Sequence, residues 1–149
     1  MSEDRIHQLI RLSRERSPIA RFLGIGLSFT DSSESVLDLE YNPNLDNVVG
    51  HIHGGIYATL LDMAGWFACA AAHDHTCWIA TSHITVHFLE AAKETSLRAV
   101  GRVIKIGKRQ DVAEMNLYDG EGNLVGHASG TFVILRDLAL PYTNSRSTE

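Results

Sequence analysis

The sequence predicts an α+β fold in which an antiparallel β-sheet wraps around one long central α-helix. Three observations point there. Residues 54–72 carry a single charge, Asp62, and read as a helix that is apolar on nearly every side. Such a helix belongs in the middle of something. After His73-Asp74-His75 the hydrophobic period changes to two and stays there, which marks strands. The cluster Asp119-Gly120-Glu121-Gly122-Asn123 sits between two such runs and closes a hairpin.

The elements follow in order. The first twenty residues form a short amphipathic helix, with Ile6, Leu9, Ile10 and Ile19 apolar among charges, and Ser17-Pro18 breaks it. Residues 22–30 and 36–41 read as strands separated by the polar turn Asp31-Ser32-Ser33-Glu34-Ser35. Residues 42–47 are turn formers and make a loop. The long helix starts near His53-Gly54-Gly55, and Ile56, Leu60, Met63, Phe67 and Ala70 fall on one face of it. In the strand 78–89, Ala80, Ser82, Ile84, Val86 and Phe88 alternate with Thr81, His83, Thr85 and His87. Residues 97–106, 112–118 and 124–135 complete the strands, and a frayed tail is expected after Arg136. The expected organisation is an N-terminal helix (1–20), one main domain (21–136) and a C-terminal tail (137–149).

Composition narrows the function. A chain of 149 residues fits one domain with a real core, and its net charge of −5 argues against a general nucleic-acid binder. Nine of the nineteen residues 54–72 are Ala or Gly, so the run is only mildly hydrophobic. A central Asp would oppose membrane insertion by about 2.5–3.5 kcal/mol, so a buried helix is expected rather than a membrane span. The opening MSEDRIHQLIRL has acids where a signal peptide has bases, and a cytoplasmic location is expected. Cys69 and Cys77 form no CxxC and suit a reducing compartment.

The segment Asn47-Val48-Val49-Gly50-His51-Ile52-His53-Gly54-Gly55-Ile56-Tyr57-Ala58-Thr59-Leu60-Leu61-Asp62 resembles the phenylacetyl-CoA thioesterase-like branch of the hotdog superfamily. The resemblance extends from about residue 22 to residue 135. It includes Phe88-Leu89, Gly107-Lys108-Arg109 and Gly130-Thr131-Phe132. It implies a hotdog fold, a homodimer or homotetramer, and hydrolysis of acyl-CoA thioesters at subunit interfaces without a separate cofactor. Coenzyme A enters only as part of the substrate.

Asp62 is the candidate catalytic carboxylate, because a buried carboxylate either has donors or performs chemistry. By resemblance it activates the attacking water or attacks the thioester carbon itself, and the sequence leaves both open. A structural Asp is the competing reading. Gly54 and Gly55 open the helix, where unpaired N–H groups and the positive dipole end converge. The resemblance gives the Gly54 N–H to the thioester oxygen, and both glycines let substrate approach the backbone. Asn47 by default makes a turn, and by resemblance it orients the thioester or the water. His53 supports the loop geometry. Thr81 matches a family hydroxyl near the water, or is an ordinary strand threonine.

Between Thr95 and Gln110 there is no acid, whereas Arg98, Arg102, Lys105, Lys108 and Arg109 occur. The phosphates of coenzyme A need such partners, although solvated strand edges also favour them. Lys105, Lys108 and Arg109 flank the Gly107 turn and are the better candidates. Leu61, Trp66, Phe67 and Tyr57 suit an aryl or medium-chain acyl group, or plain core. Eight histidines raise the question of a metal, but no HExxH occurs, and His83 and His87 share a strand face suited to a subunit contact. A hotdog dehydratase needs a differently placed Asp/His pair. A non-catalytic acyl-CoA-binding protein is the main alternative to a thioesterase.

Overall fold

The computed structural model describes residues 3–136 and 138, so most of the tail 137–149 lies outside the described residues. Helices α1 (Glu3–Arg16) and α2 (Pro18–Leu23) precede strands β1 (Gly26–Phe29) and β2 (Ser35–Leu39). A 3-10 turn (Pro43–Leu45) leads to the long helix α3 (Gly54–Ala71). Strands β3 (Trp78–Phe88), β4 (Leu97–Lys105), β5 (Gln110–Asp119) and β6 (Leu124–Leu135) follow. All six strands join one sheet in the order β1-β2-β4-β5-β6-β3, antiparallel at every pairing. Helix α3 packs against β2, β3, β4, β5 and β6. This is the sheet around a central helix that the sequence predicts.

The start of the chain departs from the prediction. Phe22 and Leu23 end a helix instead of beginning a strand. Ser17 accepts a hydrogen bond from the Ala20 N–H and Pro18 takes the first helical position, so the pair that stops α1 also starts α2. Gly24, at φ 75°, then ends that helix in the left-handed region. The buried side of α1 is Arg5, Leu9 and Ser13, one step round from Ile6, Leu9 and Ile10, and Ile19 is exposed. The reason is Arg5. Its Nε donates to Ala70 O (3.0 Å), its Nη2 donates to Cys77 O (2.6 Å), and the guanidinium lies 4.8 Å from the Trp78 ring centre. The cation thus satisfies a carbonyl at the negative end of α3 and ties α1 to it.

Helix α3 meets the sheet through small residues. Its buried face includes Tyr57, Leu60, Leu61, Ala64, Gly65 and Ala68. A Cβ added at Gly101 of β4 would stand 2.4 Å from Ala64 O, and one at Gly65 would stand 2.4 Å from the Phe132 ring. The Ser35 hydroxyl, itself buried, donates to Ala64 O at 2.6 Å. Close approach therefore decides which side faces inward. Of the predicted stripe, Leu60, Phe67 and Ala70 are buried, but Ile56 and Met63 are only half-buried. A ridge of Thr59, Asp62, Met63 and Trp66 is left partly uncovered.

Because Gly101 faces a helix backbone that cannot rotate aside, Gly101→Val is expected to destabilise by at least about 1–3 kcal/mol. Urea unfolding followed by far-UV circular dichroism would measure this. An unchanged midpoint would mean that helix and sheet separate freely.

Strand β3 contains the irregularity that matters for the site. Its pairing with β6 shifts between Thr81 and His83, leaving Ser82 as the extra residue. Thr81 lies opposite Phe132, whose side chain is in the core, while His83 lies opposite Thr131. Strict alternation would put Thr81 on the same face as His83, Thr85 and His87. The bulge turns Thr81 inward toward α3 and leaves the histidines on the outer face.

Candidate active site

The loop before α3 is built around Asn47. Its Oδ1 accepts from the Val49 N–H (3.0 Å) and the His51 N–H (3.2 Å), and its own N–H donates to His51 O (2.7 Å). Gly50, at φ 78°, takes the left-handed position this tight turn requires. The His53 N–H donates to Leu45 O at 2.8 Å, anchoring the loop end. Asn47 therefore performs the turn chemistry that residue type alone suggests, through its side-chain oxygen.

His53 caps α3, with Nδ1 accepting from the Gly55 N–H at 2.8 Å. That N–H is thereby occupied. Gly54 is the first helical residue, and its N–H has no carbonyl within its own helix to pair with. Of the two glycines, Gly54 is the one whose N–H can meet a developing negative charge at the positive end of the helix. The absent side chain also matters, because a Cβ at Gly54 would lie 3.1 Å from the Phe88 ring.

Two turns further along, Asp62 projects from the uncovered ridge of α3, half-buried within one chain. Its Oδ1 accepts the Thr81 hydroxyl at 2.7 Å. This contact exists because Ser82 bulges. A hydroxyl that spends its proton on one carboxylate oxygen fixes the carboxylate plane and leaves the second oxygen for another partner. Asp62, Thr81 and the Gly54 N–H do not converge within one chain. Gly54 and Asp62 are eight residues apart on one helix, about 12 Å along its axis. A carbonyl carbon and its oxygen span far less than that.

The basic segment divides into two groups. Arg98 is paired with Asp38, Nε to Oδ1 at 2.6 Å, and Arg102 is paired with Glu114. Each neighbour holds its guanidinium pKa above the ordinary value through a hydrogen bond and charge. Lys105, Lys108 and Arg109 are exposed around the β4–β5 hairpin and form no ion pair among the described residues. The Gly107 N–H in this turn donates to Asp111 Oδ1 at 3.0 Å, and Asp111 Oδ2 lies 2.6 Å from His73 Nε2, just beyond the end of α3. Sequence reasoning missed the His73–Asp111 pair, because 38 residues separate its members.

Tyr57, Leu61 and Phe67 are core residues, the first with its hydroxyl donating to Glu90 O at 2.9 Å. Trp66 is half-buried, donates from Nε1 to Ile79 O at 2.6 Å, and stacks on Trp78. Cys69 is sealed in the core. Burial first, and then the Asp111 carboxylate, push its thiol pKa well above the ordinary range, so it is no nucleophile.

A family model described as the thioesterase superfamily matches residues 49–126, the stretch from the Asn47 loop to β6. A protein of Saccharolobus solfataricus, an esterase by name, is 30% identical over 137 residues, spanning 92% of this chain and 88% of its own. A thioesterase family protein from Silicibacter pomeroyi superposes with a TM-score of 0.82 at 25% identity, covering 88% of this chain and 98% of that one. The PaaI protein of Escherichia coli, from the phenylacetic acid degradation operon, superposes with a TM-score of 0.81 at 21% identity, over 90% and 96% of the two chains. The latter likeness speaks for the fold alone. The chain belongs to the thioesterase superfamily and has its hotdog fold. It is a hydrolase of the thioester-cleaving class in that broad sense. No helix among the described residues is long and apolar enough to cross a membrane.

Proposed function

We propose that the protein hydrolyses acyl-CoA thioesters at sites shared between two copies of the chain. The observation that carries this reading is the Asp62 carboxylate. It is held by the Thr81 hydroxyl on the uncovered ridge of an otherwise apolar helix. The Gly54 N–H of one copy binds the thioester oxygen. Asp62 of the other takes a proton from water as that water attacks the carbonyl carbon. The tetrahedral intermediate then collapses, the C–S bond breaks, and the thiolate leaves to be protonated as free coenzyme A. If Asp62 attacks directly, the same groups serve and water instead cleaves a mixed anhydride. Neither route uses a metal or cofactor.

The shared site follows from the separation along α3, because only a second, antiparallel copy can bring Gly54 to Asp62. The β3 edge, with Thr81 to His83 exposed and unpaired on one side, supplies a surface for that copy. Turnover of a panel of acyl-CoA esters, followed by thiol release, tests the function. Release no faster than background across the panel would favour a non-catalytic acyl-CoA-binding protein.

In this reading Lys105, Lys108 and Arg109 hold the coenzyme A phosphates. Lys108→Ala with Arg109→Ala is expected to raise KM chiefly, by about tenfold for the loss of one charge-assisted contact. A pantetheine thioester of the same acid lacks the nucleotide and should show little change. Equal losses on both substrates would assign the cations to folding.

A further inference from the structure

The hairpin that carries Lys108 and Arg109 is fixed from beneath by groups that face away from any substrate. Asp111 is 0% exposed, yet both of its carboxylate oxygens are engaged. Oδ1 accepts the Gly107 N–H within the turn, and Oδ2 meets His73 Nε2 at the end of α3. On the far side of the tip, Arg109 O accepts the Ile134 N–H of β6 at 2.9 Å. The turn is so tight that a Cβ at Gly107 would lie 2.2 Å from Gln110 O. Lys108 and Arg109 thus stand between two backbone anchors, one of them reaching the central helix through a side-chain pair.

A buried polar pair is a costly way merely to fill space, since an apolar pair of similar volume does so without desolvating a carboxylate. What Asp111 and His73 add is direction. A carboxylate that bonds a turn N–H on one oxygen and a helix-end imidazole on the other fixes the hairpin's angle relative to α3. That angle also sets where the exposed cations stand relative to Asp62 on the same helix. We infer that His73 and Asp111 are positioning residues for coenzyme A, orienting the Lys105/Lys108/Arg109 hairpin toward its phosphates. The inference rests on the acyl-CoA reading above. Its physical content is preorganisation: the cations lose less freedom on binding because the hairpin is already set.

The test compares one acyl group carried on coenzyme A and on pantetheine, using the full-length protein. His73→Ala is expected to raise KM for the coenzyme A ester by about tenfold, the equivalent of one lost charge-assisted contact. KM for the pantetheine ester and kcat on either substrate should change little. His73→Gln, which keeps a donor near the Nε2 position, should recover most of the loss. Gly107→Ala, which disturbs the turn without touching the buried pair, should reproduce the same selectivity if His73→Ala folds poorly. An unchanged KM in both His73→Ala and Gly107→Ala, or equal losses on the two substrates, would overturn the inference. The Lys108→Ala/Arg109→Ala variant separates the failures. If it discriminates between the substrates and His73→Ala does not, the positioning role alone is wrong. If it does not discriminate either, the assignment of the hairpin to coenzyme A has failed and the inference falls with it.

Discussion

Asp62→Asn should lower kcat at least about a hundredfold, the usual scale for loss of a general base, and by more if the carboxylate is the nucleophile. The substitution preserves size and retains an oxygen to accept the Thr81 hydroxyl, now 2.7 Å from Oδ1. It removes the negative charge and the basic oxygen and little else. Acyl-CoA should still bind and the assembly should survive, because neither depends on proton transfer. Three readings then separate on one pair of proteins. A catalytic Asp62 gives lost turnover with unchanged melting temperature and ligand affinity. A structural Asp62 gives a lower melting temperature and weaker assembly together with lost activity. A binding protein shows no turnover in the wild type, and only affinity responds. Retained turnover in Asp62→Asn would end the mechanism proposed here, although the fold would stand.

Much of the architecture was legible because it rests on local periodicity. An apolar helix at 54–71 and alternating strands after residue 78 need only their own residues to be recognised. What was not legible depends on contacts distant in sequence. The buried side of α1 is set by Arg5 reaching Ala70 and Cys77, and nothing near Arg5 announces that. The inner side of α3 is set by how closely Gly65 and Gly101 allow helix and sheet to approach, which overrides the simple apolar stripe. Thr81 shows the limit most clearly. Alternation along β3 assigns it to the histidine face, and only the extra residue at Ser82 delivers it to Asp62. A bulge inserts one residue without a change in composition, so a period-two reading passes over it. The basic segment was legible as a charge excess, but not its division. Asp38 and Glu114 neutralise two of the five cations from other strands.

Gly54→Pro should cost about 10²–10³ in kcat, the scale for removing one donor from an oxyanion site. Proline deletes the N–H while suiting the local backbone. Position 54 opens the helix, where proline is favoured, and His53 already has the extended conformation (φ −63°, ψ 136°) that a residue before proline adopts. The added ring atoms meet Phe88, which is 58% exposed and free to move. Gly54→Ala meets the same ring but keeps the N–H, so its loss should be far smaller. The stronger test mixes the two dead proteins. In a dimer with Asp62→Asn in one chain and Gly54→Pro in the other, one site receives both lesions and the second receives neither. Random pairing during co-expression should therefore restore about a quarter of the wild-type activity per chain, since half the dimers are mixed and each carries one intact site. If every site drew Gly54 and Asp62 from the same chain, each mixed dimer would hold two damaged sites and the mixture would stay inactive. The roughly 12 Å between the two groups along one helix requires the first outcome.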